Sequence, residues 1–252
     1  MPRYCALVEY DGSAYYGFQR QREGQPTIQA ALESALGEVG HRPISITGAG
    51  RTDSGVHALG QVITFNMEWQ HGSEVLQRAL NANLPADIAI LQLNEVSSTF
   101  HPRFDARRRT YAYHVYNAPV RSPLRRQRSW HVLRPLDVER MNQAATHLIG
   151  VRDFATFGQP PQGESTVREL FAAGWQRPED ELLVFSVTAN AFLYRMVRSL
   201  VGSLKLVGEG AWTVEDFVAA LQARDRSRSG TPAPPYGLYL VSVAYDAREI
   251  GD

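Results

Sequence analysis

The residues best suited to chemistry stand together in "GAGRTDSGVHALGQV", residues 48–62. A single carboxylate, Asp53, follows Arg51 by two positions and has Gly48, Gly50 and Gly55 around it. Such a carboxylate can attack an electron-poor carbon or remove a proton, and a nearby guanidinium favours its ionised, reactive form. Arginine suits that duty better than lysine because it is always charged and pairs bidentately. The glycines allow a tight bend or a close approach to a ligand. The same residues also have a plainer reading, a turn in which Asp53 bonds its own backbone and Arg51 is solvated.

Other chemistries find little support. The glycines are not followed by Lys-Ser/Thr, and their spacing does not fit G-x-G-x-x-G, so neither familiar phosphate loop is present. None of the seven histidines falls at i, i+4 with a glutamate, and the Cys-x-x-Cys of a zinc deaminase is missing. The single Cys5 excludes an internal disulfide and reads as core filler. His57 is isolated and reads as structural. No metal and no cofactor are expected.

The elements that must position Asp53 follow from periodicity. "YCALVEYD" alternates as a strand, and "TIQAALESALGEVG" places Ile28, Ala31, Leu32, Ala35, Leu36 and Val39 on one helical stripe closed by Gly40. "RPISITGAG" and "HALGQVITFNM" predict two strands flanking the Asp53 loop, followed by the helix "SEVLQRALNANL" and the strand "IAILQLNEV". The order β-α-β-β-α-β recurs in "RTYAYHVYN", "DVERMNQAATHLIG", "TVRELFAAGWQ", "LLVFSVTA", "NAFLYRMVRSLVGSLKLVG" and "GLYLVSVAY", with the helix "TVEDFVAALQAR" inserted before the last strand. The fold class expected is α+β, two ferredoxin-like halves with antiparallel sheets, divided near Phe104 into residues 1–104 and 105–252. At 252 residues the chain has room for two such halves. Asp53 then lies on a loop at a sheet edge, where catalytic groups often sit.

Charge is zero overall but unevenly spread. Residues 100–135 carry nine arginines against one acid, Asp105, with Tyr111, Tyr113, Tyr116 and Trp130 interleaved. Cations for phosphates and rings for bases are what RNA favours. All but one of the 26 basic residues is arginine, however, so a solvated face explains the charge equally well. No apolar run approaches the roughly 18 residues of a membrane helix. "MPRYCALVEYDG" has no signal-like character, so a cytoplasmic protein is expected.

Six stretches together resemble the tRNA pseudouridine synthase A family. They are "YDGSAYYGFQRQ", "TIQAALESAL", "GAGRTDSGVHALGQV", "FHPRFDARRRTYAYHVYN", "NAFLYRMVRSLVG" and "APPYGLYLVSVAY", in the family's order and over nearly the whole chain. Phe18 stands where tryptophan is frequent in the family, and Arg195 where the family varies.

The resemblance implies an isomerase that converts uridine to pseudouridine at positions 38, 39 and 40 of the tRNA anticodon stem-loop, with no cofactor and as a homodimer. It implies that Asp53 is the catalytic aspartate, Arg51 the arginine that helps hold the flipped nucleotide, Tyr111 the ring stacked on the target base and Arg198 the basic partner of Asp53. Arg107, Arg108 and Arg109 fit a phosphate grip, and the active site is expected in a basic cleft between the halves. Periodicity alone leaves Arg198 equally able to be an exposed arginine on the polar face of its helix, aligned with Tyr194 and Lys205. For Tyr111, periodicity alone favours an ordinary strand aromatic. The rival readings are a noncatalytic RNA-binding protein and a carboxylate hydrolase acting on a free nucleoside.

Overall fold

The computed structural model describes residues 1–22, 24–160 and 163–246. The chain forms a mixed α+β structure with ten strands and five α-helices among the described residues. It divides into two compact units: Met1–Arg108 rejoined by the chain from Tyr239, and Arg109–Leu238. The boundary thus falls four residues beyond Phe104, and the closing strand sits with the first unit instead of the second. None of the described helices is long and apolar enough to cross a membrane.

In the first unit, β1 (Arg3–Tyr10) pairs antiparallel with β3 (His57–Asn66) on one side and β4 (Ile88–Val96) on the other. The alternation of β1 puts Tyr4, Ala6, Val8 and Tyr10 into the core. α1 (Ile28–Gly40) begins at Thr27, whose hydroxyl accepts from Ala30 N, and buries Ile28, Leu32, Ala35 and Leu36. Gly40, expected to end this helix, is its last residue. The left-handed turn falls on His41, at φ 51°. α2 (Ser73–Asn83) buries Leu76 and Leu80 and leads into β4.

The strand expected over "RPISITGAG" is reduced to β2 (Thr47–Gly48). The cause is a side chain of α1: Ile46 donates its N–H to the buried Glu33 carboxylate at 3.1 Å and so cannot extend a ladder. β2 takes the end of β3 at Ile63 and Thr64, while β10 (Leu238–Ala244) pairs parallel with its His57–Ala58 end. Both lie on the edge of β3 away from β1, so the last strand of the chain fills the edge beside the Asp53 loop.

In the second unit, β5 (Arg108–Asn117), β9 (Leu182–Ala189), β8 (Val167–Glu179) and β7 (Gly150–Asp153) follow one another as antiparallel neighbours. A short β6 (Trp130–Val132) runs parallel to β5. β6 and β7, of three and four residues, are too short to give a periodic signal. α3 (Val138–Thr146) and α5 (Val214–Ala223) open on capping residues Asp137 and Thr213, the latter in a full capping box with Asp216.

α4 (Met196–Gly208) starts six residues later than the pattern from Asn190 suggests. Asn190 holds the preceding segment extended: its N–H goes to Glu169 O at 3.0 Å, and its side-chain oxygen accepts from Glu169 N at 3.1 Å and Ala191 N at 2.7 Å. Tyr194 then bonds Gln159, and Arg195 takes a left-handed conformation at φ 60° before the helix begins. Phe192 and Leu193, within the expected helix "NAFLYRMVRSLVGSLKLVG", therefore precede the observed one.

Candidate active site

Asp53 sits in the connection between β2 and β3, half-buried, with Thr52 buried before it and the exposed Ser54 after it. Arg51 is exposed on the same loop. The backbone on both sides of the carboxylate is tied down. Thr52 O accepts Phe18 N–H at 3.0 Å, and Tyr15 O accepts both Gly55 N–H at 3.3 Å and Ser54 Oγ–H at 3.1 Å. Asp53 O accepts Val56 N–H at 3.1 Å, closing a turn completed by Gly55 at φ +75°. Upstream, Gln61 Nε2 donates to Gly50 O at 2.9 Å.

Residues 11–18, "DGSAYYGF", act as a clamp on this loop, a role that sequence reasoning missed. Gly17 adopts φ +90°, and a Cβ there would lie 2.8 Å from Thr52 O, so both conformation and space require glycine. A Cβ on Gly12 would stand 2.0 Å from Val56 O. Phe18 lies buried against Gly48 and tilts against Tyr10 at 6.4 Å. The signal was present as two glycines among aromatics directly after a strand, but their contact with the Asp53 loop is non-local and leaves no period.

The clamp is itself anchored. Asp11 Oδ1 accepts from Ser13 N and Ser13 Oγ and lies 2.9 Å from Nδ1 of the buried His57. The same Nδ1 is 3.1 Å from Gly12 N. One ring nitrogen serves only one of these at a time: deprotonated it accepts from Gly12, protonated it donates to Asp11. His57 also stacks on Tyr239 of β10 at 4.7 Å. It is a buried structural histidine directly beneath the loop, as its isolation in the sequence suggests. Burial first, and then its hydrogen bond to Asp87, push the Tyr15 phenol far above the usual tyrosine range.

Two of the other singled-out residues, Tyr111 and Arg198, lie in the second unit. Tyr111, half-buried on β5 opposite Val187, meets Phe192 edge-on at 5.0 Å. Arg198 is not on an open polar face. It is half-buried, its Nε donates to Ala233 O at 2.6 Å, and its own carbonyl accepts Ala233 N–H at 2.9 Å. One turn on, a Cβ at Gly202 would lie 1.9 Å from Thr231 O, so the segment around residues 231–233 covers this side of α4. That cover is what periodicity could not supply.

Within the arginine run, Arg107 holds Asp246 through Nε at 3.0 Å and Nη2 at 2.8 Å, and Arg109 Nη1 donates to Asn190 O at 3.0 Å. Arg108 is exposed at the start of β5. Farther on, Arg125 pairs with Glu179 at 2.6 Å and lies over the Tyr116 ring, while Arg121 and Arg126 are exposed. Among the described residues no group of three or more His, Cys, Asp or Glu is arranged to hold a metal.

A family model described as tRNA pseudouridine synthase matches residues 6–105 and 144–246. The tRNA pseudouridine synthase A of Rhizobium meliloti (strain 1021) is 45% identical over 249 residues, covering 97% of this chain and 100% of its own length. That of Neisseria meningitidis serogroup B (strain ATCC BAA-335 / MC58) is 41% identical over 244 residues, covering 96% and 92%. A chain of the crystal structure of a Cbf5-Nop10-Gar1 complex matches 80% of this chain and 44% of its own at 12% identity and a TM-score of 0.35, a likeness too loose to add to these. On the family match and the near full-length relatives, the chain belongs to the tRNA pseudouridine synthase family.

Proposed function

We propose that this protein isomerises uridine to pseudouridine in tRNA, at positions 38, 39 and 40 of the anticodon stem-loop, with Asp53 as the essential carboxylate. The observation that carries the reading is a half-exposed carboxylate between backbone groups fixed at Thr52 and Gly55, in a chain of this family.

Pseudouridine formation breaks the N1–C1′ bond, turns the uracil and joins C5 to C1′. The C5 proton leaves to solvent and N1 gains one, so atoms balance without oxidant or reductant. A carboxylate serves either as nucleophile at C1′, as in retaining glycosidases, or as base at C2′ to give a glycal. Both routes need a carboxylate that does not drift, which the clamp supplies. Arg51, exposed beside Asp53, is suited to a phosphate or sugar of the flipped nucleotide. Tyr111 is the ring to stack on the target base, and Arg198 the basic partner of Asp53. Arg107, Arg108 and Arg109 are assigned to the RNA backbone. We assign the working form as a cytoplasmic homodimer and each half as ferredoxin-like. Support for the latter comes from the antiparallel order β4-β1-β3-β2 in the first unit and β5-β9-β8 in the second.

The test is tRNA tritiated at uridine C5, with free uridine in parallel. An isomerase releases tritium from tRNA to water; a noncatalytic RNA-binding protein releases none; a nucleoside hydrolase liberates uracil from the free nucleoside. Release is expected to survive exhaustive chelation and to need no added nucleotide or flavin. Loss on chelation, restored by a divalent ion acting on the protein and not on tRNA folding, overturns that expectation.

A further inference from the structure

We propose that Asp87, on the turn between α2 and β4, is a positioning residue for the isomerisation and acts on the Asp53 loop through Tyr15. The inference rests on Asp53 being the reacting carboxylate and goes beyond it to a residue outside the signature stretch.

Asp87 immediately precedes β4, and Asp11 immediately follows β1, whose last pair is Tyr10 with Ile88. Asp87 reaches the clamp at two points. Its carbonyl accepts Asp11 N–H at 2.9 Å, and its Oδ1 accepts the Tyr15 hydroxyl at 2.6 Å. Tyr15 is buried at 8% exposure whereas its neighbour Tyr16 is 51% exposed, so the Tyr15 ring is the one that ties the clamp to the body of the unit. The Tyr15 carbonyl then accepts from Ser54 Oγ and Gly55 N, the two residues directly after Asp53. A short charge-assisted bond at one end of Tyr15 thus fixes the acceptor that orients the loop at the other. The phenol is held protonated by burial and by Asp87, which keeps it a donor throughout the working pH range. A shift of about 1 Å in a reacting group can cost about a hundredfold in rate, so loosening this tether should register in the chemical step.

The experiment compares Tyr15→Phe, Asp87→Ala, Asp87→Asn and the Tyr15→Phe/Asp87→Ala double variant by single-turnover tritium release from C5-labelled tRNA, filter-binding affinity for the same tRNA, and thermal melts. Asp53→Asn is assayed alongside. Tyr15→Phe and Asp87→Ala are expected to slow the chemical step about ten- to hundredfold while affinity stays within about twofold. The double variant should be no slower than the slower single variant. Asp87→Asn, whose amide oxygen still accepts the phenol, should run near the parent rate. Parent rates in Tyr15→Phe and Asp87→Ala overturn the proposal. So does a slowing that tracks lost folded protein or lost affinity, or an Asp87→Asn variant as slow as Asp87→Ala. Should Asp87→Ala not fold, Tyr15→Phe alone decides, since it keeps the buried ring. An inert Asp53→Asn beside unaffected Tyr15 and Asp87 variants sinks this inference only; an active Asp53→Asn sinks the reading beneath it as well.

Discussion

The hydroxyls of Tyr10 and Thr52 lie 2.8 Å apart in the interior of the first unit. They tie the last residue of β1 to the residue just before Asp53, so the floor of the loop is held by a side-chain bond as well as by Phe18 N–H on Thr52 O. Both side chains are buried, so water offers the pair little competition.

Replacing Thr52 by Val keeps the branched shape and deletes the bond. We expect a loss of about 1 kcal/mol in stability and about tenfold in turnover, with tRNA affinity unchanged. Thr52→Ser should restore most of both. Denaturant unfolding and single-turnover release measure the two effects, and a Thr52→Val variant as active as the parent shows that the loop needs no such floor.

Much of this arrangement was legible in the sequence, and the parts that were not share a cause. β1, β4, β9 and α1 declare themselves by period, because each buries mainly one face. Three features depend instead on partners distant along the chain. β2 shrinks because Ile46 N–H is taken by Glu33, α4 starts late because Asn190 and Glu169 hold the segment before it, and β10 pairs with β3, far earlier in the chain. The setting of Asp53 was similarly half visible. Its residue type and glycines mark the loop, whereas the clamp of Tyr15, Gly17 and Phe18 emerges only from contacts thirty or more residues apart. Arg198 was ambiguous for the same reason, because Ala233 and Thr231, which cover its helix face, carry no periodic signal.

The arginines should divide by their present partners. Arg107 and Arg125 already hold Asp246 and Glu179, whereas Arg121 and Arg126 are exposed. Replacing Arg121 or Arg126 by Ala should lower the slope of log affinity against log salt by about 0.7 to 0.9 for each phosphate that the side chain neutralises. Arg107→Ala and Arg125→Ala should lower it less, because a carboxylate must be given up before a phosphate is gained. Filter binding between low and physiological salt reads this directly. A flat salt response in the parent would reduce the whole run to a solvated face.

Cys5 gives a pH signature of the core. It packs with Ala49, Val62 and Phe100, and burial pushes its thiol from the usual 9.0 up to about 11, against a smaller opposing pull from Arg3. The folded chain therefore keeps this proton to higher pH than the unfolded chain does. Its contribution to stability is complete below about pH 9 and is lost as pH rises toward 11. Denaturant midpoints of the parent should fall over that window more steeply than those of Cys5→Ala, the comparison that removes the tyrosines common to both. Maleimide should label the native protein slowly at pH 8 and rapidly in denaturant. Prompt native labelling would contradict the burial of this thiol.

Asp53→Asn is the decisive substitution. It keeps the size of the side chain and most of its hydrogen-bonding capacity, and it leaves the bonds at Thr52 O, Gly55 N and Asp53 O in place because all three are backbone groups. What it removes is the negative charge, and with it both nucleophilic attack at C1′ and proton removal at C2′. Turnover should disappear. Binding should persist or strengthen slightly, since affinity for tRNA comes mainly from phosphate contacts and one repulsive charge near RNA is gone. The melt should stay close to the parent's, because the backbone bonds that fix the loop are untouched and Arg198 Nε donates to Ala233 O. Tritium release, filter binding and a thermal melt on one preparation check all three. If the variant is folded, binds tRNA and still makes pseudouridine near the parent rate, Asp53 is a turn residue and the catalytic carboxylate lies elsewhere in the chain.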